Sequence, residues 1–221
     1  MDTSMQDTTL RHHIEELQKR SKAPADVRAR MQHETEQLIR SGIAEQSLAV
    51  GETAPDFSLP NARGTTTTLS TLLAQGPVVL TFYRGEWCPY CNLTLHAYQR
   101  FLPQLQALGA NLIAVSPQTP DHSLSTAEKW HLDFEVVSDV GNTVARAYGL
   151  VFSLSQELRA IYTKRGNDLA AYNGDDSWEL PMAGTFVIAQ DGTIRVAFVD
   201  ADHTHRLEPA AILDALTTLR A

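Results

Sequence analysis

The two cysteines of this chain, Cys88 and Cys91, stand three positions apart and directly follow the apolar run 78–83. A Cys-Pro-x-Cys pair between a predicted strand and a predicted helix is typical of a redox site. Backbone N–H groups and the helix dipole favour an anion at a helix start, so the pKa of a cysteine there falls from about 8.5 toward neutrality. The thiolate is the reactive form, and a second cysteine one turn away can trap an oxidised product as a disulfide. The motif therefore predicts a thiol-based reductase.

The composition of the chain limits its partners. Its 221 residues include 18 Lys and Arg against 26 Asp and Glu, without a basic cluster, which argues against nucleic acid or an anionic membrane surface. No apolar run approaches the roughly 20 residues of a membrane span, and residues 1–7 lack a signal-peptide core. We therefore expect a cytoplasmic protein. Two cysteines are too few for a secreted fold that disulfide bonds stabilise, which favours a catalytic role for the pair.

Residues 1–49 are expected to form a helical arm that precedes a main domain at 50–221. Apolar residues recur at helical spacing in two groups within 8–43, namely Leu10, Ile14 and Leu17, and then Val27, Met31 and Leu38. The first group is thin, so its helix should pack on another surface, such as a second subunit. We favour a partly solvated arm over a dimerisation element and keep a homodimer as the alternative.

The main domain alternates between predicted strands and helices. Strands are expected at 78–83, 111–116 and 134–137, and helices at 70–73, from 92 to the stop at Gly109, and at 125–131, 142–148 and 208–219. Ser70 is the expected cap of the first of these helices. An Asp-Gly turn at 191–192 between two apolar runs predicts a late hairpin over 185–199. This order implies an α/β domain whose mixed sheet carries helices on both faces.

An insert over about 153–180 interrupts this alternation. It carries Tyr162, Tyr172 and Trp178 between polar residues. The insert is either a lid over the cysteine site, an interface, or an ordinary surface excursion, and we favour the last.

Several stretches carry a resemblance to a known family: Gly51–Phe57, Phe82–Cys91, Ser138-Asp139 with Ala147–Gly149, and the closing run Asp200–Pro209. With them, the region 50–221 resembles the peroxiredoxin branch of the thioredoxin-like superfamily, in its alkyl hydroperoxide reductase/thiol-specific antioxidant subgroup. The resemblance implies a thioredoxin-like fold of peroxiredoxin type, to which the helical arm is added. It also implies a thiol peroxidase that needs no bound cofactor and that thioredoxin or glutathione reduces.

The family pattern Pro-x-x-x-Thr/Ser-x-x-Cys can be aligned with this chain at its three defined positions. Arg84 takes the proline place, Cys88 the threonine place and Cys91 the place of the attacking cysteine. The hydroxyl that positions a peroxide is therefore replaced by a thiol, which is a poor hydrogen-bond donor. The late arginine of the family has no match before Phe186, and Arg84 is the expected substitute for its charge.

The motif leaves two assignments of the attacking sulfur. In disulfide reductases the first cysteine attacks, which here is Cys88. The resemblance favours Cys91 for a peroxide, because the ten residues from Phe82 to Cys91 match the peroxiredoxin length. Cys91 would then become a sulfenic acid and Cys88 would condense with it. Tyr83, Trp87 and Tyr90 are candidates to shape an apolar mouth, although packing is the more common role of such aromatics.

Metal binding is not expected. The cysteine pair lacks the second pair or the histidines of a zinc site. Asp200, Asp202, His203 and His205 have ligand chemistry, but alternation on a strand end would place the acids and the histidines on opposite sides.

The sequence supports three functions. The first is a thiol peroxidase that reduces hydrogen peroxide or alkyl hydroperoxides through a Cys88–Cys91 disulfide cycle. The intact Cys-Pro-Tyr-Cys motif supports a protein thiol–disulfide oxidoreductase of thioredoxin or glutaredoxin type. A non-enzymatic redox sensor, whose disulfide alters how the arm or the insert meets a partner, is the third.

Overall fold

A computed structural model describes residues 9–220 of the chain. Its helices are α1 (Leu10–Lys19), α2 (Ala25–Arg40), α3 (Leu69–Leu73), α4 (Pro89–Ala107), α5 (Pro120–Trp130), α6 (Thr143–Ala147), α7 (Gln156–Lys164), α8 (Leu169–Asn173) and α9 (Pro209–Arg220). Its strands are β1 (Ser58–Pro60), β2 (Thr66–Thr68), β3 (Val78–Phe82), β4 (Asn111–Ser116), β5 (Glu135–Ser138), β6 (Val151–Ser153), β7 (Glu179–Pro181), β8 (Gly184–Ile188) and β9 (Ile194–Val199).

The central sheet has the strand order β5-β4-β3-β8-β9. β3 runs parallel to β4 and antiparallel to β8, and β8 forms the late hairpin with β9. Every residue of β3 is buried, which explains why its sequence is apolar at every position except Thr81 rather than alternating. The expectation of a mixed sheet is confirmed.

Helices cover both faces of this sheet, as expected. On one face α3 and α6 pack over Phe82 and Phe186, and this core includes the buried Tyr148. On the other face α4 and α9 pack over Val79 and Val187. The cysteine motif lies in the second layer, where α4 meets the end of β3.

The start of α4 differs from the predicted position. The helix begins at Pro89, with Cys88 as its N-cap, rather than at Asn92. Proline suits the first helical position because its fixed φ is already helical and the N–H it lacks would have no partner there. The motif therefore forms the first turn of the helix instead of preceding it.

Other boundaries also shift from the expectations. α3 begins at Leu69, and the Asp56 carboxylate accepts the Ser70 backbone N–H at 2.9 Å, so Ser70 is not the cap. α5 begins at Pro120, five residues before the predicted start at Ser125, again because a proline initiates it.

The two helices of the arm are confirmed, and α1 packs on the main domain of its own chain. Leu10 and Ile14 are buried, and α1 contacts α4. The Glu208 carboxylate accepts the backbone N–H groups of Leu10 and Arg11 at 3.0 and 2.8 Å. The surface that the thin apolar stripe needs is therefore provided within the chain. Among the described residues, no helix has both the length and the hydropathy to cross a membrane.

The insert is an ordered cover rather than a plain surface excursion. β6 and β7 pair antiparallel at its base, and α7 and α8 lie between them. Its small core contains Leu154, Tyr162 and Leu180, and Trp87 beside the cysteine motif packs against this core. A lid over the cysteine site therefore describes this segment better than the ordinary surface segment that we favour from the sequence.

Candidate functional site

The site is built around the two cysteine sulfurs at the start of α4. The Sγ atoms of Cys88 and Cys91 lie 2.8 Å apart as free thiols, and both residues are fully buried. A disulfide bond spans about 2.05 Å, so closing it requires a shift of under about 1 Å. The N-cap residue and the third residue of a helix lie side by side, which explains why the Cys-x-x-Cys spacing brings the sulfurs together.

Two guanidinium groups provide positive charge at these sulfurs. Arg206 Nη2 donates to Cys91 Sγ at 3.7 Å. Arg84 is only 6% exposed, and its charge acts on both cysteines. The sequence predicts Arg84 at this place but not Arg206, which lies in the closing run Asp200–Pro209. The signal for Arg206 is its position in the loop 200–208 after β9, later than the place where the family pattern expects an arginine.

The two thiols have opposite pKa shifts. Burial opposes ionisation of Cys88 and is the largest single effect on its pKa, but the hydrogen bond from the Cys91 thiol and the nearby positive charges together outweigh it. These charges belong to Arg84 and Arg206, and the pKa of Cys88 therefore lies well below its usual range. Burial raises the pKa of Cys91 well above its usual range, and the hydrogen bond to Cys88 adds to this because a donor must keep its proton.

This order of pKa values favours Cys88 as the thiolate. Cys88 is the N-cap of α4, and the backbone N–H of Cys91 also lowers its pKa. The resemblance favoured Cys91 as the sulfur that attacks a peroxide, and that assignment stays a prediction. The charge distribution supports the other assignment, in which Cys88 attacks and Cys91 resolves.

The three aromatic residues of the motif have different positions. Tyr83 is 2% exposed and lies in the core beside the cysteines, so it does not shape a mouth, and burial raises its pKa to about 12. The Trp87 ring packs on Tyr162 of α7 with centroids 5.3 Å apart, and the Arg84 guanidinium lies 5.2 Å from the same indole. Tyr90 packs against His203 at 5.3 Å. Of these three aromatic residues, Trp87 and Tyr90 border the open cleft beside the motif and Tyr83 does not.

A polar network holds the loop that carries the motif. The Glu86 backbone N–H donates to the Gln118 side chain at 2.6 Å, and the Asn92 amide donates to the Glu86 carbonyl at 2.8 Å. The Glu86 carboxylate lies 2.9 Å from His122 Nδ1 and accepts the Ser125 hydroxyl at 3.0 Å. These hydrogen bonds hold the loop that precedes α4 against both α5 and α4.

The acidic and histidine residues after β9 do not follow the predicted alternation. β9 ends at Val199, so the following residues form a turn in which His205 Nδ1 lies 2.7 Å from Asp200 and Nε2 lies 3.8 Å from Asp202. Within residues 9–220 no three His, Cys, Asp or Glu side chains are grouped as metal ligands would be. His203 turns toward the cysteine site instead, where burial and the charges of Arg84 and Arg206 hold its pKa well below its usual value.

Comparison with known proteins assigns the fold and the family. The family model described as AhpC/TSA matches residues 50–197. A putative peroxiredoxin of Mycobacterium tuberculosis is 30% identical over 114 residues, which cover 52% of this chain and 74% of the relative. The chloroplastic peroxiredoxin Q of Triticum aestivum is 28% identical over 174 residues, which cover 77% of this chain and 80% of the relative.

Solved structures agree with this assignment. The crystal structure of peroxidoxin BcpB from Mycobacterium tuberculosis aligns with a TM-score of 0.61 at 26% identity, over 78% of this chain and 97% of that one. The thioredoxin-like fold of peroxiredoxin type is therefore confirmed. Because the AhpC/TSA model matches well over half of its residues, this chain belongs to the AhpC/TSA family.

Proposed function

We propose that this protein is a thiol-dependent peroxidase that reduces hydrogen peroxide or alkyl hydroperoxides through a Cys88–Cys91 disulfide cycle. The observation that carries the proposal is the pair of sulfurs 2.8 Å apart beside two guanidinium groups, in a member of the AhpC/TSA family. The positive charge keeps one sulfur ionised, and the short separation lets the other sulfur trap its oxidised product.

In the first step the Cys88 thiolate attacks the distal oxygen of the peroxide. A sulfur–oxygen bond forms while the O–O bond breaks, and the leaving alkoxide or hydroxide takes up a proton and departs as an alcohol or water. Cys88 is oxidised by two electrons to a sulfenic acid. The guanidinium groups of Arg84 and Arg206 stabilise the negative charge on the reacting atoms before and during this step.

In the second step the Cys91 sulfur attacks the sulfur of the sulfenic acid. The S–S bond forms, the S–O bond breaks, and the oxygen leaves as water with the thiol proton. Because the sulfurs lie 2.8 Å apart within one helical turn, the step needs no unfolding of α4. A thiol reductant, either thioredoxin or glutathione, then restores the pair by disulfide exchange.

The proposal is tested by rapid mixing of the reduced protein with hydrogen peroxide or cumene hydroperoxide. Disulfide formation is expected to be faster than the oxidation of free cysteine by at least about a hundredfold, as positioned acid–base and electrostatic groups provide. Cys88→Ser and Cys91→Ser are expected to stop disulfide formation. A wild-type rate equal to that of free cysteine would rule the proposal out.

A protein thiol–disulfide oxidoreductase is the second candidate. It is favoured by the intact Cys-Pro-Tyr-Cys sequence, in which Cys88 caps the helix and has the lowered pKa. Reduction of insulin disulfides without consumption of peroxide would support it over the peroxidase.

The location and assembly of the protein belong to the same proposal. A cycle that ends in a disulfide needs a supply of reducing thiols, and the cytoplasm provides one. The homodimer stays an alternative to a monomer. The division into an arm at 1–49 and a peroxiredoxin domain at 50–221 is also part of the proposal, and it is supported by the start of the family match at residue 50.

A further inference from the structure

Arg84 is the only Lys or Arg of residues 9–220 that is buried. It is 6% exposed, and its Nε is buried without a hydrogen-bond partner. In the described part of the chain, no carboxylate lies within ion-pair distance of it. A buried charge normally has a counter-charge, because an unpaired ion is costly to remove from water. In the reduced protein the Cys88 thiolate provides that negative charge.

Oxidation removes the counter-charge. When Cys88 and Cys91 form a disulfide, the thiolate is consumed and the two guanidinium groups keep their charges. The net charge around the two sulfurs then changes from partly balanced to positive. A change of one unit charge within 4–6 Å alters ionisation by about 1–3 pKa units, which corresponds to a tenfold to thousandfold change in the affinity for an anion.

Arg84 also lines a half-open cavity of about 280 Å³ between α2, the insert and the sheet. Apolar side chains from all three regions form much of its wall, including Leu38, Leu158 and Met182. The volume lies just below the range of small-molecule sites, which span roughly 300–1,000 Å³. Two acidic residues, Glu34 and Asp200, line it as well, which disfavours a ligand with several negative charges.

We infer that this cavity is a redox-gated site for a small monocarboxylate with an apolar body. The carboxylate lies on Arg84 and takes the place of the charge that the thiolate loses, while the apolar body contacts α2 and the insert. The cavity binds this ligand weakly in the dithiol form of the protein and tightly in the disulfide form. This inference rests on the proposed function, because it needs the Cys88–Cys91 disulfide to form.

Binding of benzoate to the disulfide and dithiol forms tests this inference. The disulfide form is prepared with diamide and the dithiol form with dithiothreitol, followed by gel filtration and thiol titration, and benzoate is titrated into each by calorimetry. Benzoate is expected to bind the disulfide form at least tenfold more tightly. Benzamide has the same shape without the charge, and it is expected to show no preference.

Linkage provides a second readout in the wild-type protein. A ligand that prefers the disulfide form tenfold lowers the reduction potential of the pair by about 30 mV when saturating. A shift of the potential by benzoate but not by benzamide is expected. Equal affinity of benzoate for the two forms, with no shift in potential, would overturn the inference.

Substitutions of Arg84 test whether this side chain, rather than the overall charge of the protein, causes the preference of benzoate for the disulfide form. Arg84→Gln is expected to abolish the preference of benzoate for the disulfide form, and Arg84→Lys, which keeps the charge, to retain it. Arg165→Gln is the matched control, because it removes an exposed cation outside this cavity. An unchanged preference in Arg84→Gln would contradict the assignment.

Two sources of the carboxylate are distinguished by a parallel titration with N-acetylglycylglycine, which carries the group on a peptide chain. Binding of both probes indicates that a peptide C-terminus is accepted, and binding of benzoate alone indicates a free small acid. Failure of the disulfide to form at all would overturn the proposed function and this inference together. A disulfide that forms and shows no preference overturns this inference alone.

Discussion

At the scale of single residues, the chemistry of the site depends on how its charges surround two sulfurs. Cys88 and Cys91 differ by three positions, yet burial and hydrogen bonding shift their pKa values in opposite directions. The cysteines were predictable from the sequence, because a local motif at a strand–helix junction defines them. Arg206 was not predictable in the same way, because it reaches Cys91 from 115 positions further along the chain.

Arg206→Gln tests the contribution of that charge. Because a nearby positive charge lowers the pKa of the Cys88 thiol, its removal should raise this pKa by about one unit. Reactivity is lost as pH falls through the pKa of the attacking thiol, so the acidic limb should move to higher pH. The measurement is the rate of alkylation or peroxide reduction against pH. Arg195→Gln, an exposed arginine paired with Asp191, is the control and should leave the profile unchanged.

Gly85 is required by the backbone that leads into the motif. Its φ is 142°, and a Cβ there would lie 2.5 Å from Trp87 Nε1. Gly85→Ala is therefore expected to lower the free energy of unfolding by more than about 1 kcal/mol, measured by urea denaturation. Gly109→Ala is the control, because φ is also positive (75°) but nothing lies within 4 Å of the added carbon. A smaller loss at Gly85 than at Gly109 would contradict this account.

At the scale of elements, the sheet and its helices can be predicted from the apolar pattern of the sequence. The places where the arm and the insert pack cannot be predicted in this way. β3, β4 and the late hairpin were predictable because buried strands and an Asp-Gly turn have clear local signals. The contact of the insert with Trp87 depends on tertiary packing, which leaves no periodic signal in the sequence. The docking of α1 likewise depends on Glu208, which lies 198 positions from Leu10.

Glu208→Gln tests that docking. The carboxylate accepts two backbone N–H groups at the start of α1, so loss of its charge should cost about 0.5–2 kcal/mol, as removal of a helix cap does. Hydrogen exchange of the α1 amides and urea denaturation measure the effect. Glu15→Gln removes a carboxylate that forms an exposed ion pair with Arg11, and it should change stability by less than about 0.5 kcal/mol. Equal effects of the two substitutions would argue against the docking role.

At the scale of the whole molecule, the arm, the insert and the closing loop converge on one site. The arm and the insert line the cavity beside Arg84, and the loop 200–208 brings Arg206 to the sulfurs. The sequence was sufficient for the fold, the family and the cysteine pair, because motifs and periodicity are local. It was insufficient to predict the second cation beside the sulfurs or the packing of the insert over the cysteine motif, because both depend on contacts between distant segments of the chain.

Cys88 and Cys91 are expected to form a disulfide when one equivalent of peroxide oxidises the reduced protein. The most direct measurement is the intact mass of the reduced protein after one equivalent of hydrogen peroxide, with peptide mapping of the two cysteines. We expect the loss of two hydrogen atoms and a Cys88–Cys91 linkage in the wild type. In Cys91→Ser we expect a sulfenic acid on Cys88. A protein that keeps both cysteines as free thiols after peroxide treatment would contradict the account.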